Sequence, residues 1–323
     1  MQRILDPAQI EAFAQRSIPR LRLADPATLY LRRAERLRAL SAGHVIGDYL
    51  QLIASLCEAQ HRVSGSWPDL PEPECTDPEQ LSSRIARARA HGLPVLQASA
   101  WSRDARWRAL LGELCESLRA RAPAAARSVC ARLADEEPAR LEAHADHLLG
   151  VSPGVTDLQA APFLMAALQV YWLCLVQTLE SDTATSPQNP PADAAMAGIC
   201  PMCGTAPVAS VVRADAQYQG YRYLHCALCA TEWHLVRIKC THCLASEGIH
   251  YHYVEGGSEA IRAESCDTCR TYRKILYHEK DPAAEPVADD LASLSLDLLM
   301  GAERYQRACG NPFLWQPPDR LSR

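Results

Sequence analysis

Apolar residues recur at helical spacing through the first 180 residues, then give way to short alternating runs set between cysteine pairs. The chain therefore reads as a helical half followed by a strand-rich half. From Pro26, Leu29, Leu37 and Leu40 fall near the helical period until Gly43 offers a left-handed stop. A second helix is predicted over 46–59, with Leu50, Ile53 and Leu56 on one face, and further helices around 78–91, 103–121, 124–134, 136–148 and 157–180. Asp6-Pro7, Asp25-Pro26 and Asp77-Pro78 each set a carboxylate before a proline at a helix start. Proline lacks only an N–H that would be orphaned there, and the carboxylate meets the positive end of the helix. Gln9 and Gln80 sit three residues beyond their caps and complete capping boxes. Strand signals are nearly absent from residues 1–180, which predicts a bundle of five to seven helices.

Residues 181–198, SDTATSPQNPPADAAMAG, have no apolar period and read as a linker. Beyond it, strands are predicted at 207–213, 221–225, 231–238, 250–254, 260–264 and 271–278, with turns at 215–220 and 255–258. Past the proline-bearing connection 281–287, Asp289 or Asp290 is predicted to cap a helix with an apolar stripe of Leu291, Leu294, Leu298 and Leu299, ended by Gly301. That stripe and the tail GAERYQRACGNPFLW are expected to dock on the rest of the chain.

Between the predicted strands stand four Cys-x-x-Cys pairs: Cys200/Cys203, Cys226/Cys229, Cys240/Cys243 and Cys266/Cys269. The gaps of 22, 10 and 22 residues make the pattern repeat at an offset of 40. Each unit thus carries two thiolate pairs, enough for one tetrahedral metal site. Cys200, Cys203, Cys226 and Cys229 form the first predicted site, and Cys240, Cys243, Cys266 and Cys269 the second. A cross-braced arrangement, with the first and third pairs sharing a metal, is the alternative. About 40 residues bury too little apolar surface to fold alone, and a structural metal contributes on the order of 10–16 kcal/mol. Serine at any of the eight positions is expected to unfold the module locally while the helical half stays folded. His225 and His242 are the nearest histidines, but four sulfurs already complete each site. Closed sites leave no open position for hydrolytic metal catalysis.

The remaining six cysteines (Cys57, Cys75, Cys115, Cys130, Cys174 and Cys309) are scattered and read as small buried apolar residues. The N-terminus shows no apolar stretch of a secretory signal, so disulfides are not expected. Net charge is −5, and arginine supplies 30 of the 33 basic residues, which reads as compositional bias. Residues 199–280 carry 9 basic against 8 acidic residues, and residues 1–180 carry 20 Arg against 21 acidic ones. Neither half offers the basic field that nucleic acid requires. The apolar run 163–176, interrupted by Gln169, is shorter than a bilayer crossing and reads as a buried helix.

The stretches CPMCGTAPVASVVR, GYRYLHCALCATEWHLVRIKCTHC, ESCDTCRTYRKILY and LDLLMGAERYQRACGNPFL resemble the FdhE family of formate dehydrogenase accessory proteins, as does LADPATLYLRRAERLRALSAGHVIGDYL. The resemblance implies a cytoplasmic maturation factor, not an enzyme, that contacts the catalytic subunit of respiratory formate dehydrogenase before its export. It implies two metal ions per chain, with iron favoured, whereas intrinsic affinity favours zinc. The fold class expected is α+β multidomain: an N-terminal all-α bundle (1–180), a linker (181–198), two tandem rubredoxin-like or zinc-ribbon units (199–238 and 239–280), and a C-terminal helix with a docked tail (281–323). No nucleic-acid partner and no membrane insertion are expected, and a homodimer stays open. Two alternatives remain: a rubredoxin-like redox protein, and a sulfur-handling enzyme using one of the six unpaired cysteines. His44, Asp48 and Tyr49, and Arg222, Tyr223 and Trp233, are the candidates for client-facing surface; packing in a helix turn and in strand core is the plain alternative.

Overall fold

The computed structural model describes residues 19–70, 83–120 without 84 and 89, 122–154, 156–181, 198–214 and 220–314. The helix starts at Asp6 and Asp77, most of the linker and of the 215–220 turn, Cys75, and the tail beyond Leu314 lie outside these residues.

The helical half holds α1 (Leu29–Ser41), α2 (Gly47–Gly65), α3 (Arg106–Leu118), α4 (Ala124–Ala134), α5 (Pro138–Leu148) and α6 (Ala161–Ser181). Residues 85–88 are also helical. Asp25 works one turn ahead of α1: its carboxylate accepts from Ala27 N at 3.0 Å and Thr28 Oγ1 at 2.8 Å. The buried face of α1 is Tyr30, Arg33, Ala34, Leu37 and Ser41, so of the three leucines read from the sequence only Leu37 is fully covered. Gly43 has φ +68° and stops the helix. α2 buries Leu50, Ile53 and Leu56 as read, and continues six residues beyond its predicted end.

α6 is the axis of this half, packing against α2, α3 and α5. Its stretch Ala161–Leu179 has the length and apolarity of a membrane span, yet 83% of that stretch is buried inside the fold. Gln169, which interrupts the apolar run 163–176, is 2% exposed and hydrogen-bonded through both its amide oxygen and nitrogen. It accepts from Gln60 Nε2 at 2.9 Å and donates to Ala227 O at 2.8 Å, joining the helices to the sheet.

Eight strands among the described residues form one sheet: β1 (Leu21–Arg22), β2 (Pro207–Val212), β3 (Arg222–Cys226), β4 (Glu232–His234), β5 (Ile249–His252), β6 (Ile261–Cys266), β7 (Thr271–Tyr277) and β8 (Gln306–Arg307). The order is β1-β4-β3-β2-β7-β6-β5, with β8 beside β7. Strands β2–β4 and β5–β7 are two antiparallel meanders, which the parallel pair β2/β7 fuses edge to edge. Because β2 has neighbours on both sides, its run PVASVV is wholly buried, as a continuous apolar strand should be. The helical half adds β1 to the outer edge of the first meander.

The C-terminal segment differs from the single predicted helix. It forms α7 (Pro286–Ala292) and α8 (Leu294–Ala302), separated at Ser293. The cap of α7 is Glu285, whose carboxylate accepts from Val287 N at 3.0 Å and Ala288 N at 2.7 Å. Asp289 and Asp290 are buried inside the helix instead, held by Arg36 and Arg307. The break at Ser293 shifts the helical phase, so Leu291, Leu296 and Met300 face inward while Leu298 is 78% exposed. Buried Arg33 on α1 donates to Glu285 at 2.9 Å and fastens this segment to the helical half.

Candidate metal centres

The sulfurs of Cys200, Cys203, Cys226 and Cys229 lie within 4.8 Å of one another, as do those of Cys240, Cys243, Cys266 and Cys269. Pairing is sequential, one cage per meander, and the cross-braced alternative is absent. In the first cage Cys200 faces Cys229 at 3.6 Å and Cys203 faces Cys226 at 3.3 Å. In the second, Cys240–Cys269 and Cys243–Cys266 are both 3.7 Å. A metal bound to four sulfurs at about 2.3 Å sets tetrahedron edges of about 3.8 Å. A disulfide would bring two sulfurs to about 2.05 Å. These cages therefore fit an ion with tetrahedral thiolate preference, and each group could hold one.

All four pairs use the same turn. The residue after the second cysteine has positive φ in each: Gly204 (76°), Ala230 (57°), Leu244 (64°) and Arg270 (55°). Inside these turns backbone N–H groups aim at sulfur. Leu228 N and Cys229 N reach Cys226 Sγ at 3.3 and 3.4 Å, and His242 N and Cys243 N reach Cys240 Sγ at 3.4 and 3.5 Å. Hydroxyls of Thr205, Thr231 and Thr271 stand 3.0–3.2 Å from Cys203, Cys229 and Cys269. The N–H donors stabilise thiolate charge, and the hydroxyls can add to them by donating once the sulfurs are deprotonated. Burial pushes Cys200 and Cys226 well above the ordinary thiol range. Against its own burial, Cys203 is held well below it by hydrogen bonds from its three neighbours. In the second cage burial likewise opposes, but the N–H groups of Cys269 and Thr268 hold Cys266 at about 7.

The surroundings of the two cages differ. Cys200, Cys203, Cys226 and Cys229 are at most 1% exposed and belong to the main hydrophobic core. Residues 94–98 of the helical half lie along the first knuckle, where Leu96 N donates to Met202 O at 2.7 Å and Ala98 N to Cys203 O at 2.8 Å. The first cage is thus built into the helix–sheet junction, and the expectation of a module that unfolds by itself does not fit it. In the second cage Cys243 is exposed and Cys269 half-buried.

Family profiles match almost the whole chain: "FdhE, N-terminal" over 18–188, "FdhE, central domain" over 199–237 and "FdhE, C-terminal domain" over 238–314. The chain belongs to the FdhE family. It is 39% identical over 318 residues to a "Protein FdhE homolog" of Serratia proteamaculans, covering 97% of this chain and 98% of the relative. It is 40% identical over 298 residues to "Protein FdhE" of Escherichia coli strain K12, covering 92% of each. The crystal structure of the FdhE protein from Pseudomonas aeruginosa superposes with a TM-score of 0.78 at 36% identity, covering 92% of this chain and 99% of that one.

In this FdhE chain the residues read as client-facing are placed differently. Arg222, Tyr223 and Trp233 are 0%, 0% and 3% exposed, so they present no surface. Arg222 and Tyr223 are neighbours on β3 and point to opposite faces, and β3 is buried along its whole length. Arg222 is a clamp between the meanders. Its guanidinium grips Glu264 at 2.7 and 2.8 Å and donates to the carbonyls of Leu235, Val236 and Lys239 in the connection. Tyr223 OH donates to Pro19 O at 2.8 Å. His44 Nε2 meets Ala292 O at 2.8 Å and Tyr49 OH donates to Phe313 O, so both tie down the C-terminal segment. Asp48 is exposed. Neither cage includes a histidine; His225 instead faces Glu232 at 3.3 Å. Of the other cysteines, Cys57, Cys115, Cys130 and Cys174 are buried in the helical half, and Cys309 is half-buried.

Sequence reasoning missed the buried ion pairs. Lys274, on β7, is fully buried, with Asp297 at 2.7 Å and Asp290 at 3.5 Å. A lysine inside the strand TYRKILY, in a chain with only three lysines, was the available signal.

Proposed function

We propose that this chain is a cytoplasmic accessory protein that binds the immature catalytic subunit of respiratory formate dehydrogenase and supports its maturation. Two metal ions hold the binding module in shape, with iron favoured by the family likeness and zinc the alternative. The observation that carries this reading is the pair of four-sulfur cages in one sheet, within a chain that spans nearly the full length of its FdhE relatives. Four sulfurs per ion leave no open coordination position, which favours binding over metal catalysis. A tagged chain drawn from cell extract is expected to retain a formate dehydrogenase catalytic subunit; consistent failure to retain one contradicts the proposal.

A second reading, electron transfer to the client, draws on the exposed Cys243, which brings the second cage to the surface. A zinc-filled protein that still supports maturation eliminates it.

A further inference from the structure

The two cages share a backbone, but the residues filling their knuckles have diverged. At the offset of 40, Met202 corresponds to His242, Ala227 to Asp267, Leu228 to Thr268 and Trp233 to Arg273. Met202, Ala227, Leu228 and Trp233 are buried and apolar, and they seat the first cage in the main core. His242, Asp267 and Thr268 are exposed. The second cage thus opens to water along two of its cysteines, whereas the first is sealed on every side.

The fold around the second cage has other supports. β7 pairs with β2 over Lys274–Tyr277, and Arg222 spans to Glu264. Ala263, Tyr272, Leu296 and Met300 form a small separate core beneath α8. Lys274 is locked to Asp290 and Asp297, and β8 pairs with Thr271 and Tyr272 beside the last knuckle. Arg273 is 3% exposed, donates to Thr241 Oγ1 at 2.9 Å, and has no hydrogen-bond partner for Nη1 among the described residues. This buried guanidinium stands where the first meander has indole, and it supplies a positive charge behind the second set of thiolates.

We propose that the second cage is an exchangeable site for a thiophilic divalent ion, filled and emptied in the folded chain, while the first holds its ion until the molecule unfolds. Exchange at an exposed cysteine needs only local opening, whereas the first cage is reached by opening the main core. The inference rests on the two cages and not on the client.

The test uses the full chain loaded with two equivalents of zinc and challenged with excess EDTA, with zinc release and far-ultraviolet circular dichroism followed together. One equivalent is expected to leave at least about a hundredfold faster than the other, because only release from the first cage requires global opening. The helical signal stays constant during the fast phase, and added zinc refills the site. Cys243→Ser removes the fast equivalent and keeps the slow one. Simultaneous loss of both ions with the helical signal, retention of both until unfolding, or a fast phase that survives Cys243→Ser would each overturn the proposal.

Discussion

Ala230 pays a left-handed backbone penalty that Gly204, at the matching position of the first knuckle, does not. Ala230→Gly should stabilise the chain by about 0.5 kcal/mol, the left-handed cost of about 1 kcal/mol less the entropy glycine adds to the unfolded chain. Gly204→Ala has the opposite sign, because its Cβ would meet Pro94 Cγ at 3.3 Å as well as strain the turn. Chemical denaturation with metal content checked on the same samples measures both. Glu232 gives a pH signature. Burial opposes its charge, but Arg213, His225 and Arg22 hold its pKa at about 2, below the ordinary 4.5. A depressed carboxylate contributes stability that is complete above the unfolded value and is lost as pH falls towards the folded one. The stability gap between the native chain and Glu232→Gln should therefore be constant above about pH 5 and close between 4.5 and 2. A gap unchanged at pH 3 contradicts the assignment. At this scale the eight cysteines were legible because metal ligation demands a residue type at fixed spacing. Arg222 was not, since nothing local tells a buried guanidinium from a displayed one.

The meanders follow the sequence repeat closely: β5, β6 and β7 stand 40 residues or so beyond β2, β3 and β4. Turn glycines, cysteine pairs and alternation all pointed to them. The C-terminal stripe went wrong for a physical reason: Ser293 breaks the helix, and a period counted across a break selects the wrong face. The capping acids were displaced likewise, since Glu285 caps while Asp289 and Asp290 serve ion pairs with distant arginines. The joint between the meanders is a testable element. Arg222→Met leaves Glu264 buried with Tyr251 OH, at 3.1 Å, as its remaining side-chain hydrogen-bond partner among the described residues. Removing one member of a buried ion pair costs about 3–5 kcal/mol. A urea midpoint unchanged in this variant would show that the connection at 235–239 holds without its clamp.

Over the whole molecule, α6, the sheet and the first cage share one core. Helix and strand content was readable from period. The assembly was not, because the two contacts that create it are long-range. β2 pairs with β7 across more than sixty residues, and β1 is a two-residue strand too short to carry a pattern. The polar residue inside the apolar helix, Gln169, was the one local trace of that assembly, since it reaches the carbonyl of Ala227 in the second knuckle. The architecture makes the first cage part of the global core and the second part of a supported rim. Both depend on eight sulfurs acting as two closed ligand sets. Metal analysis joined to X-ray absorption at the metal edge, on freshly purified full-length chain, tests this most directly. The account predicts two ions per chain, each with a first shell of four sulfurs at about 2.3 Å and no nitrogen or oxygen. Fewer than four sulfurs per ion, light-atom ligands in the first shell, or a compact metal-free chain with those cysteines joined as disulfides would contradict it.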